Sequence, residues 1–373
     1  MAATYLAYTS LYFFILFLTF KKDPDGRSIL MINFNFFSKQ SLAIDLGNNN
    51  TLVRDKNKLL ISQPSYIVFD TSNNEVRAVG DKAYSMFEKN HETLKPVKPL
   101  KGGVIADYNS ACSMIRELIK QADQGKSRFS GYENLISGVP YSTTAVERRA
   151  LRDALDQFHA HHTYLLYEPL AAAMGIGLDI REPDGKMVID IGGGSTEIVV
   201  ISLSGVAAFQ SIKVAGDTFD EEIQDHFRRN YNIAIGLRTA EQVKIQVGAV
   251  SSKLSEPPVP MLVKGKDLIA GIPVTRKIDH AEVACILEKS IHTIENSIVQ
   301  TLEACPPELA ADIYQNGIHV TGGNAYLRGL KERFEARIKL PVHIDSEALQ
   351  SVSKGIARAL QDPKKYQRVL MEN

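Results

Sequence analysis

The sequence contains few cysteines and no excess charge of either sign. Its three cysteines are Cys112, Cys285 and Cys305, and neither a CxxC pair nor a Cys/His ligand spacing joins them. A disulfide framework and a zinc site of the usual pattern are therefore excluded, and we expect reduced, structural thiols in a cytosolic compartment. Lys and Arg together number 43, as do Asp and Glu. Because no net positive charge draws the chain onto nucleic acid, we expect no nucleic-acid partner.

The composition of the 373 residues is that of a globular protein. Hydrophobic residues make up 44% and charged residues 23%, which excludes a disordered chain and a pure coiled coil. The length is about two and a half times that of an average single domain. We therefore expect two domains or one large α/β body.

The first twenty residues depart from this balance. Sixteen of them are apolar, none is charged, and Lys21 and Lys22 follow directly. A helix of that length would be about 30 Å long, enough to cross a bilayer, and the positive-inside rule would place the rest of the chain in the cytoplasm. A cleaved signal peptide fits poorly, because no small-residue cleavage site follows. Residues 1–30 are therefore interpreted as an apolar leader, either a membrane anchor or the product of a start misassigned upstream of Met31.

Two segments repeat each other at an offset of 145 residues. Residues 44–51 (IDLGNNNT) match residues 189–196 (IDIGGGST), and each predicts a strand, a tight turn and a second strand. Backbone N–H groups and hydroxyls in such a turn can surround phosphate oxygens, while Asp45 or Asp190 faces a hydrated cation. A single copy is most often only a turn. Two copies, one in each half of the chain, predict a duplicated domain pair that closes on one nucleotide.

A third glycine cluster occupies residues 317–324 (GIHVTGGN). It predicts a buried strand that enters a Gly-Gly turn, followed by a helix with Leu327, Leu330 and Phe334 on one stripe. Glycines at such a turn let the backbone approach a flat ligand closely. The alternative is a plain tight connection, which would be preferred without the paired hairpins.

Helix starts are recognisable between these motifs. Thr144 with Glu147 predicts a capped helix that runs toward His159. Glu168 precedes Pro169, which predicts Glu168 as an N-cap with an exposed carboxylate at the edge of a domain. Glu241 and Lys244 lie three residues apart on one predicted helix face, and such a pair is normally a solvated salt bridge.

From about Met31 to Leu360, these motifs closely resemble the MreB family of bacterial actins, which determine rod shape. This family belongs to the superfamily of actin, heat-shock chaperones and sugar kinases. Besides the hairpins, the resemblance is carried by residues 78–81 (AVGD), 99–107 (PLKGGVIAD), 147–150 (ERRA), 168–173 (EPLAAA), 214–221 (VAGDTFDE) and 228–232 (RRNYN). It implies an α/β, actin-like ATPase fold of two duplicated domains. Residues 31–182 with 352–373 would form domain I, and residues 183–351 would form domain II.

The resemblance also implies the site. Glu168 would position and polarise the water that attacks the γ-phosphate of ATP, with the Ser195 hydroxyl helping to hold it. Mg²⁺ would be held mainly through water by Asp45 and Asp190. The hairpin turns would bind phosphate. Glu241 and Lys244 would reach the ribose and the adenine edge, and the third glycine turn would line the adenosine pocket. The nucleotide-binding positions so implied are Ser195 with Asn48, Asn49, Asn50, Gly192, Gly193, Gly194, Glu241, Lys244, Gly322, Gly323 and Asn324.

Four departures from the family pattern concern these positions. The first turn has three asparagines where Thr-Ala-Asn is common, and Ser195 replaces a threonine. Tyr167 stands where a second Glu usually precedes the catalytic one, and Asn324 replaces a third glycine. Each change keeps small or hydrogen-bonding character, so we expect ATP binding. Small shifts in these turns can alter the hydrolysis rate strongly, because positioning dominates phosphoryl transfer.

Membrane contact is implied by residues 125–130 (GKSRFS), which resemble the family's membrane-inserting loop and contain Phe129. The segment 31–37 (MINFNFF) is also rich in Phe, although alternation of Ile32, Phe34 and Phe36 fits an edge strand slightly better than a helix. The implied partners are further copies of the chain in filaments, the inner face of the plasma membrane, and membrane proteins of cell-wall elongation.

The function implied is that of a filament-forming protein that organises cell-wall synthesis and cell shape, with slow ATP hydrolysis. A small-molecule kinase and a nucleotide-binding pseudoenzyme scaffold of the same superfamily stay open as alternatives. A chaperone ATPase fits poorly, because only residues 361–373 follow the last predicted helix.

Overall fold

The computed structural model describes residues 17–22, 28–33, 40–89, 92–123 and 131–372. Its elements alternate between strands and helices in both halves of the chain. Up to residue 182 they are β1 (Phe17–Lys22), β2 (Ser28–Asn33), β3 (Gln40–Leu46), β4 (Asn50–Arg54), β5 (Leu59–Pro64), β6 (Ile67–Asp70), β7 (Val76–Val79), α1 (Asp81–Met86), β8 (Leu94–Val97), β9 (Leu100–Lys101), β10 (Val104–Ile105), α2 (Tyr108–Asp123), β11 (Tyr132–Val139), α3 (Ala145–Asp156), β12 (His162–Tyr167) and α4 (Glu168–Gly175).

The second half follows the same alternation. Its elements are β13 (Lys186–Ile191), β14 (Thr196–Ser202), β15 (Gly205–Ile212), α5 (Gly216–Tyr231), β16 (Ile233–Ala234), α6 (Leu237–Val247), β17 (Met261–Asp267), β18 (Pro273–Ile278), α7 (His280–Glu303), α8 (Pro307–Asn316), β19 (Ile318–Thr321), α9 (Leu330–Ile338), β20 (Val342–Ile344) and α10 (Ser351–Gln361). Two 3-10 helices, Gly323–Tyr326 and Ala348–Gln350, complete it.

Two five-stranded sheets share one topology. In the first, the strand order is β12-β11-β3-β4-β5, and in the second it is β20-β19-β13-β14-β15. Each has an antiparallel three-strand meander, extended by two parallel strands on the side of its first strand. The sequence repeat is therefore a structural one, and the expectation of an α/β fold with two duplicated βα units is confirmed.

Hydrophobic burial explains the central strands. β3 and β13 contain near-continuous apolar runs, and Leu42, Ala43, Ile44, Val188 and Ile189 are at most 1% exposed. Such runs are typical of strands covered on both faces by helices. Asp45 and Asp190 each interrupt the apolar run one residue before the strand ends, so the two hairpin turns follow at equivalent positions of their sheets.

Helices α4 and α10 cross at the boundary between the two halves. α10 follows the second sheet in the chain but packs on β3 and β11, while α4 follows the first sheet and contacts β13 and β14. The crossing is close, since a Cβ on Gly355 would lie 1.7 Å from the carbonyl oxygen of Ala171, and one on Gly175 would lie 1.8 Å from that of Ser351. The packing of α10 supports assigning residues 352–373 to domain I, and we keep the division into domains as a proposal.

The predicted helix start at Thr144 is confirmed. Its hydroxyl accepts from the Glu147 backbone N–H, and the Glu147 carboxylate accepts from the Thr144 N–H, which is a complete capping box. The helix ends at Asp156, short of His159.

The described part of the leader is extended. β1 pairs with β2 in an antiparallel hairpin, so the helix expected through Phe20 is wrong for residues 17–20. Phenylalanine and threonine have a high strand propensity, and these residues pair with β2 although the apolar run is long enough for a membrane-spanning helix. Among the described residues, no helix has the length and hydropathy needed to cross a bilayer. Phe129, Phe34 and Phe36 lie outside the described residues.

We expect Gly355→Ala to lower the free energy of unfolding by about 1 to 3 kcal/mol, because the added methyl group must push α10 away from α4. Chemical denaturation would measure the change. Gly205→Ala is the control, since a Cβ there meets its nearest atom at 3.5 Å and should change stability by less than about 0.5 kcal/mol. Equal stability of the two variants would contradict the close crossing.

Candidate functional site

A cleft of about 310 Å³ is lined by the turns that follow β3 and β13. Asp45 and Asp190 occupy equivalent places, each one residue before the end of its strand. All fifteen residues that the sequence assigns to catalysis, nucleotide or metal line this cleft: Asp45, Asn48, Asn49, Asn50, Glu168, Asp190, Gly192, Gly193, Gly194, Ser195, Glu241, Lys244, Gly322, Gly323 and Asn324. The fold thus brings them together, while their individual roles stay predictions.

Four carboxyl groups crowd one wall of the cleft, namely those of Asp45, Glu168, Asp190 and Glu197. Burial, helped by the charge of Asp190, raises the pKa of Asp45 to about 8. Burial, helped by Glu197, raises the pKa of Asp190 to about 7. Burial followed by the other three charges raises the pKa of Glu168 well above its ordinary value. This concentration of acidic groups favours a bound cation that would offset their repulsion.

Asp45 and Asp190 have the chemistry to hold a cation through its water shell. Among the residues the structure describes, no group of three or more His, Cys, Asp or Glu side chains is arranged to hold a metal ion. Mg²⁺ keeps several of its waters and usually takes only one or two protein carboxylates together with phosphate oxygens. Asp45 and Asp190, facing one cleft from two sheets, fit that pattern.

Glu168 is the first residue of α4 rather than its N-cap. Tyr167 is the N-cap, and Glu168 is half-buried in the cleft instead of exposed at a domain edge. The expected cap is therefore wrong. Pro169 fits the first turn of a helix, where its missing N–H has no intrahelical acceptor, so it does not force the helix to begin after Glu168.

The solvated salt bridge expected between Glu241 and Lys244 is also wrong. Lys244 is buried, and its Nζ lies 2.9 Å from a carboxylate oxygen of Asp220 and donates to the Gly216 carbonyl at 3.0 Å. The Tyr84 hydroxyl donates to Glu241 Oε2. A buried ammonium requires a partner, and Asp220, on the apolar face of α5 with Ile223 and Phe227, supplies it. In the sequence, an acidic residue at helical spacing from apolar residues was the signal that could have predicted this buried ion pair.

A polar cluster links the first hairpin turn to α5. Asn48 Nδ2 donates to Asp217 Oδ2 at 2.5 Å. Lys98 Nζ donates to Asn49 Oδ1 at 2.6 Å and lies 3.0 Å from Asp217. Sequence reasoning missed Lys98 and Asp217, because no local pattern marks a contact across 119 residues. Two of the three asparagines in the first turn therefore make contacts that an alanine could not.

Glycines allow the two turns to meet. A Cβ on Gly193 would lie 2.8 Å from the Asn49 side chain, and one on Gly194 would lie 2.6 Å from the Gly103 nitrogen. The contact with the Gly103 backbone requires glycine at position 194, whereas at position 193 the Asn49 side chain would have to move. The second turn therefore presents backbone to the cleft.

Glu197 is a further residue that the sequence analysis missed. It is 4% exposed, pairs with Asp190 across the second hairpin, and accepts from the backbone N–H groups of Tyr141 and Ser142 at 3.0 and 3.2 Å. Burial still raises its pKa. In the sequence, a single acidic residue inside the apolar strand β14 could have indicated a buried functional carboxylate.

The third glycine cluster forms the opposite part of the cleft. β19 leads into Gly322, whose φ of 87° requires glycine, and the Asn324 amide donates to the Gly192 carbonyl at 2.6 Å. A short 3-10 helix separates this turn from α9, so the predicted helix starts later than expected. The exposed side chains of Ile245, Tyr326 and Leu349 also line the cleft and give it an apolar wall.

Comparisons with known proteins agree with this geometry. The family model described as MreB/Mbl protein matches residues 39–368. The chain is 37% identical to the cell shape-determining protein Mbl of Bacillus subtilis (strain 168), over 85% of this chain and 94% of the relative. It is 35% identical to the cell shape-determining protein MreB of Escherichia coli (strain K12), over 89% and 96%. The crystal structure of MreB5 of Spiroplasma citri bound to AMPPNP superposes with a TM-score of 0.82 at 33% identity, covering 89% of this chain and 98% of that one.

We expect Asp45→Asn to stabilise the nucleotide-free protein more at pH 8 than at pH 5. The folded state raises the pKa of Asp45 from 3.8 to about 8, so it binds more protons than the unfolded state between those values, and stability falls as pH rises. Asn has no proton to lose, so its advantage should grow by about 1 to 3 kcal/mol over this range. Chemical denaturation at both pH values measures it, and a pH-independent difference would contradict the shift.

Proposed function

Because the chain belongs to the MreB/Mbl family of actin-like, cell shape-determining proteins, we propose that it binds ATP with Mg²⁺ in the cleft and assembles into filaments. The observation that carries the proposal is the pair of duplicated hairpins whose Asp45 and Asp190 face one cleft. The Spiroplasma citri relative was solved with AMPPNP and with ADP, at 33% and 32% identity, which supports a nucleotide in this cleft.

The phosphates lie between the two hairpin turns in this proposal. Backbone N–H groups of residues 47–50 and 192–195 donate to phosphate oxygens, as glycine-rich turns do in many nucleotide sites. Asp45 and Asp190 would hold Mg²⁺ through its water shell. When bound, Mg²⁺ supplies charge neutralisation for phosphoryl transfer.

The nucleoside lies against α6 and the third glycine turn. Glu241 accepts from ribose hydroxyls, and Lys244 contributes to the same wall. Gly322, Gly323 and Asn324 let the backbone approach the flat base, while the exposed apolar side chains of the cleft wall cover its other face.

Hydrolysis depends on Glu168 in this mechanism. Its carboxylate accepts a hydrogen bond from the attacking water and orients it toward the γ-phosphate, and the Ser195 hydroxyl holds the same water. A raised pKa suits a group that accepts a proton during the reaction. Turnover is slow in this proposal.

The assembled protein acts at the inner face of the plasma membrane, where it organises cell-wall synthesis together with membrane proteins of cell-wall elongation. Phe129 contacts the membrane, with Lys126 and Arg128 beside it attracting anionic headgroups at about 1 kcal/mol each. One buried Phe contributes only about 1.5 to 3 kcal/mol. A filament that repeats the contact gains avidity that a single subunit lacks.

Glu168→Ala tests both hydrolysis and assembly. We expect ATP binding and ATP-dependent pelleting to persist, while phosphate release slows by about 10² to 10⁴, because the turns are untouched and the water loses its orienting group. Phosphate release, calorimetry and sedimentation would be compared with Glu332→Ala, an exposed acidic residue of α9. Wild-type hydrolysis by Glu168→Ala would remove this residue from the mechanism. If the wild-type protein phosphorylates sugars and does not pellet with ATP, the filament proposal is wrong and the protein is a small-molecule kinase.

Phe129→Ser tests the membrane contact. In a protein that begins at Met31, we expect the variant to lose binding to anionic liposomes mainly as filament, with assembly in solution unchanged. Co-sedimentation at matched polymer levels measures this, with Val146→Ser as control, since Val146 is 79% exposed on α3. Equal liposome binding by Phe129→Ser and wild type would move the contact to the segment around Phe34 and Phe36 or to the leader.

A further inference from the structure

The end of α1 and the start of α6 contact each other although 150 residues separate them. Glu88 Oε1 accepts from the Leu237 N–H at 2.7 Å, and Glu88 Oε2 accepts from the Arg238 N–H at 3.3 Å. The first N–H groups of a helix have no intrahelical acceptor, and a carboxylate there also benefits from the helix dipole. The N-cap residue of α6 is Gly236, which has no side chain to accept from these N–H groups. The side-chain acceptor for α6 therefore comes from the other half of the chain.

The local backbone is adapted to this contact on both sides. Glu88 has a φ of 63°, a left-handed conformation that is unfavourable for a residue with a side chain. A Cβ on Gly236 would lie 2.3 Å from Glu88 Oε2, so glycine leaves room for the carboxylate. Both features point to a specific contact rather than a loose surface approach.

Tyr84 makes a second connection one helical turn earlier. Its hydroxyl donates to Glu241 Oε2, and the Arg238 guanidinium lies 4.7 Å from the centre of its ring. Tyr66 supports the ring from behind, with ring centres 5.2 Å apart. The Arg238 Nη1 also donates to the Ser85 carbonyl at 3.5 Å. The start of α6 is therefore held to α1 by a carboxylate, a hydroxyl and a cation–π contact.

This contact bears directly on the cleft, because α6 carries three of its lining residues, Glu241, Lys244 and Ile245. One oxygen of Glu241 already accepts from Tyr84. Glu88 and Tyr84 themselves belong to the half of the chain that carries the first hairpin. Any widening of the cleft that moves α6 away from that half must break these bonds.

We propose that Tyr84 and Glu88, bound to Leu237, Arg238 and Glu241, form a clasp that closes the nucleoside side of the cleft and limits how fast nucleotide leaves. The clasp rests on the proposed function, since it regulates the same site. Tyr84 and Glu88 are positioning residues, because they act on nucleotide through α6. Glu241 serves both the clasp and the ligand, so that nucleotide and clasp stabilise the same closed arrangement.

Release of ATP radiolabelled on its α-phosphate, chased with unlabelled ATP and Mg²⁺ below the concentration of assembly, tests the clasp. We expect Glu88→Ala to speed release about tenfold, as loss of hydrogen bonds to a charged group predicts, and Tyr84→Phe several-fold. Glu88→Gln keeps one acceptor oxygen and should release at an intermediate rate. Tyr108→Phe is the control, since that hydroxyl contacts Gln157 away from the cleft, and it should release like wild type.

Hydrogen exchange of the nucleotide-free protein provides an independent measurement. Glu88→Ala should expose the amides of Leu237 and Arg238 to exchange at least tenfold faster, because they lose their acceptor. The start of α3, which has its own capping box, should not change. Unchanged exchange at α6 would overturn the clasp.

The two measurements separate the possible failures. If wild type binds no labelled ATP, the proposed function fails, and hydrogen exchange still decides whether the clasp forms. If wild type binds ATP but Glu88→Ala and Tyr84→Phe release it at the wild-type rate, the clasp proposal alone is overturned.

Discussion

The close crossing of α4 and α10 is the constraint on which the cleft depends. Gly175 and Gly355 let the two helices approach to backbone contact, and each helix packs on the sheet of the other half. Glu168 begins α4, so the same crossing that joins the halves also sets where this carboxylate lies. A side chain at either glycine would separate the sheets and with them the two hairpin turns.

A cluster of buried carboxyl groups is the second organising feature. The acidic groups at the ends of β3 and β13 are held together by burial and backbone packing, against their mutual repulsion. Two neighbouring lysines are paired with other carboxylates, Lys244 with Asp220 and Lys98 with Asp217. In the proposed function, a cation bound together with the nucleotide phosphates would offset the crowding of these carboxyl groups.

The two hairpin turns were found from a local sequence pattern, whereas the other site residues were identified from the family resemblance. Asp45 and Asp190 were found because a repeated strand–turn–strand motif is visible in consecutive residues. The sequence analysis did not find Lys98, Asp217 and Tyr84, because each of them bonds to a partner more than a hundred residues away. Their side chains look like ordinary surface residues until the two halves are brought together.

The sequence alone determined the duplication and the alternation of strands and helices, because hydrophobic periodicity and glycine turns are local properties. The family resemblance identified most of the other residues that meet in the cleft. Tertiary structure decided what the polar side chains do. Glu168 became a half-buried group rather than a cap, and the Glu241–Lys244 pair was divided between partners on other elements. The reason is physical, since burial removes water as a hydrogen-bond partner, and a buried charge then binds whichever group the fold brings nearest.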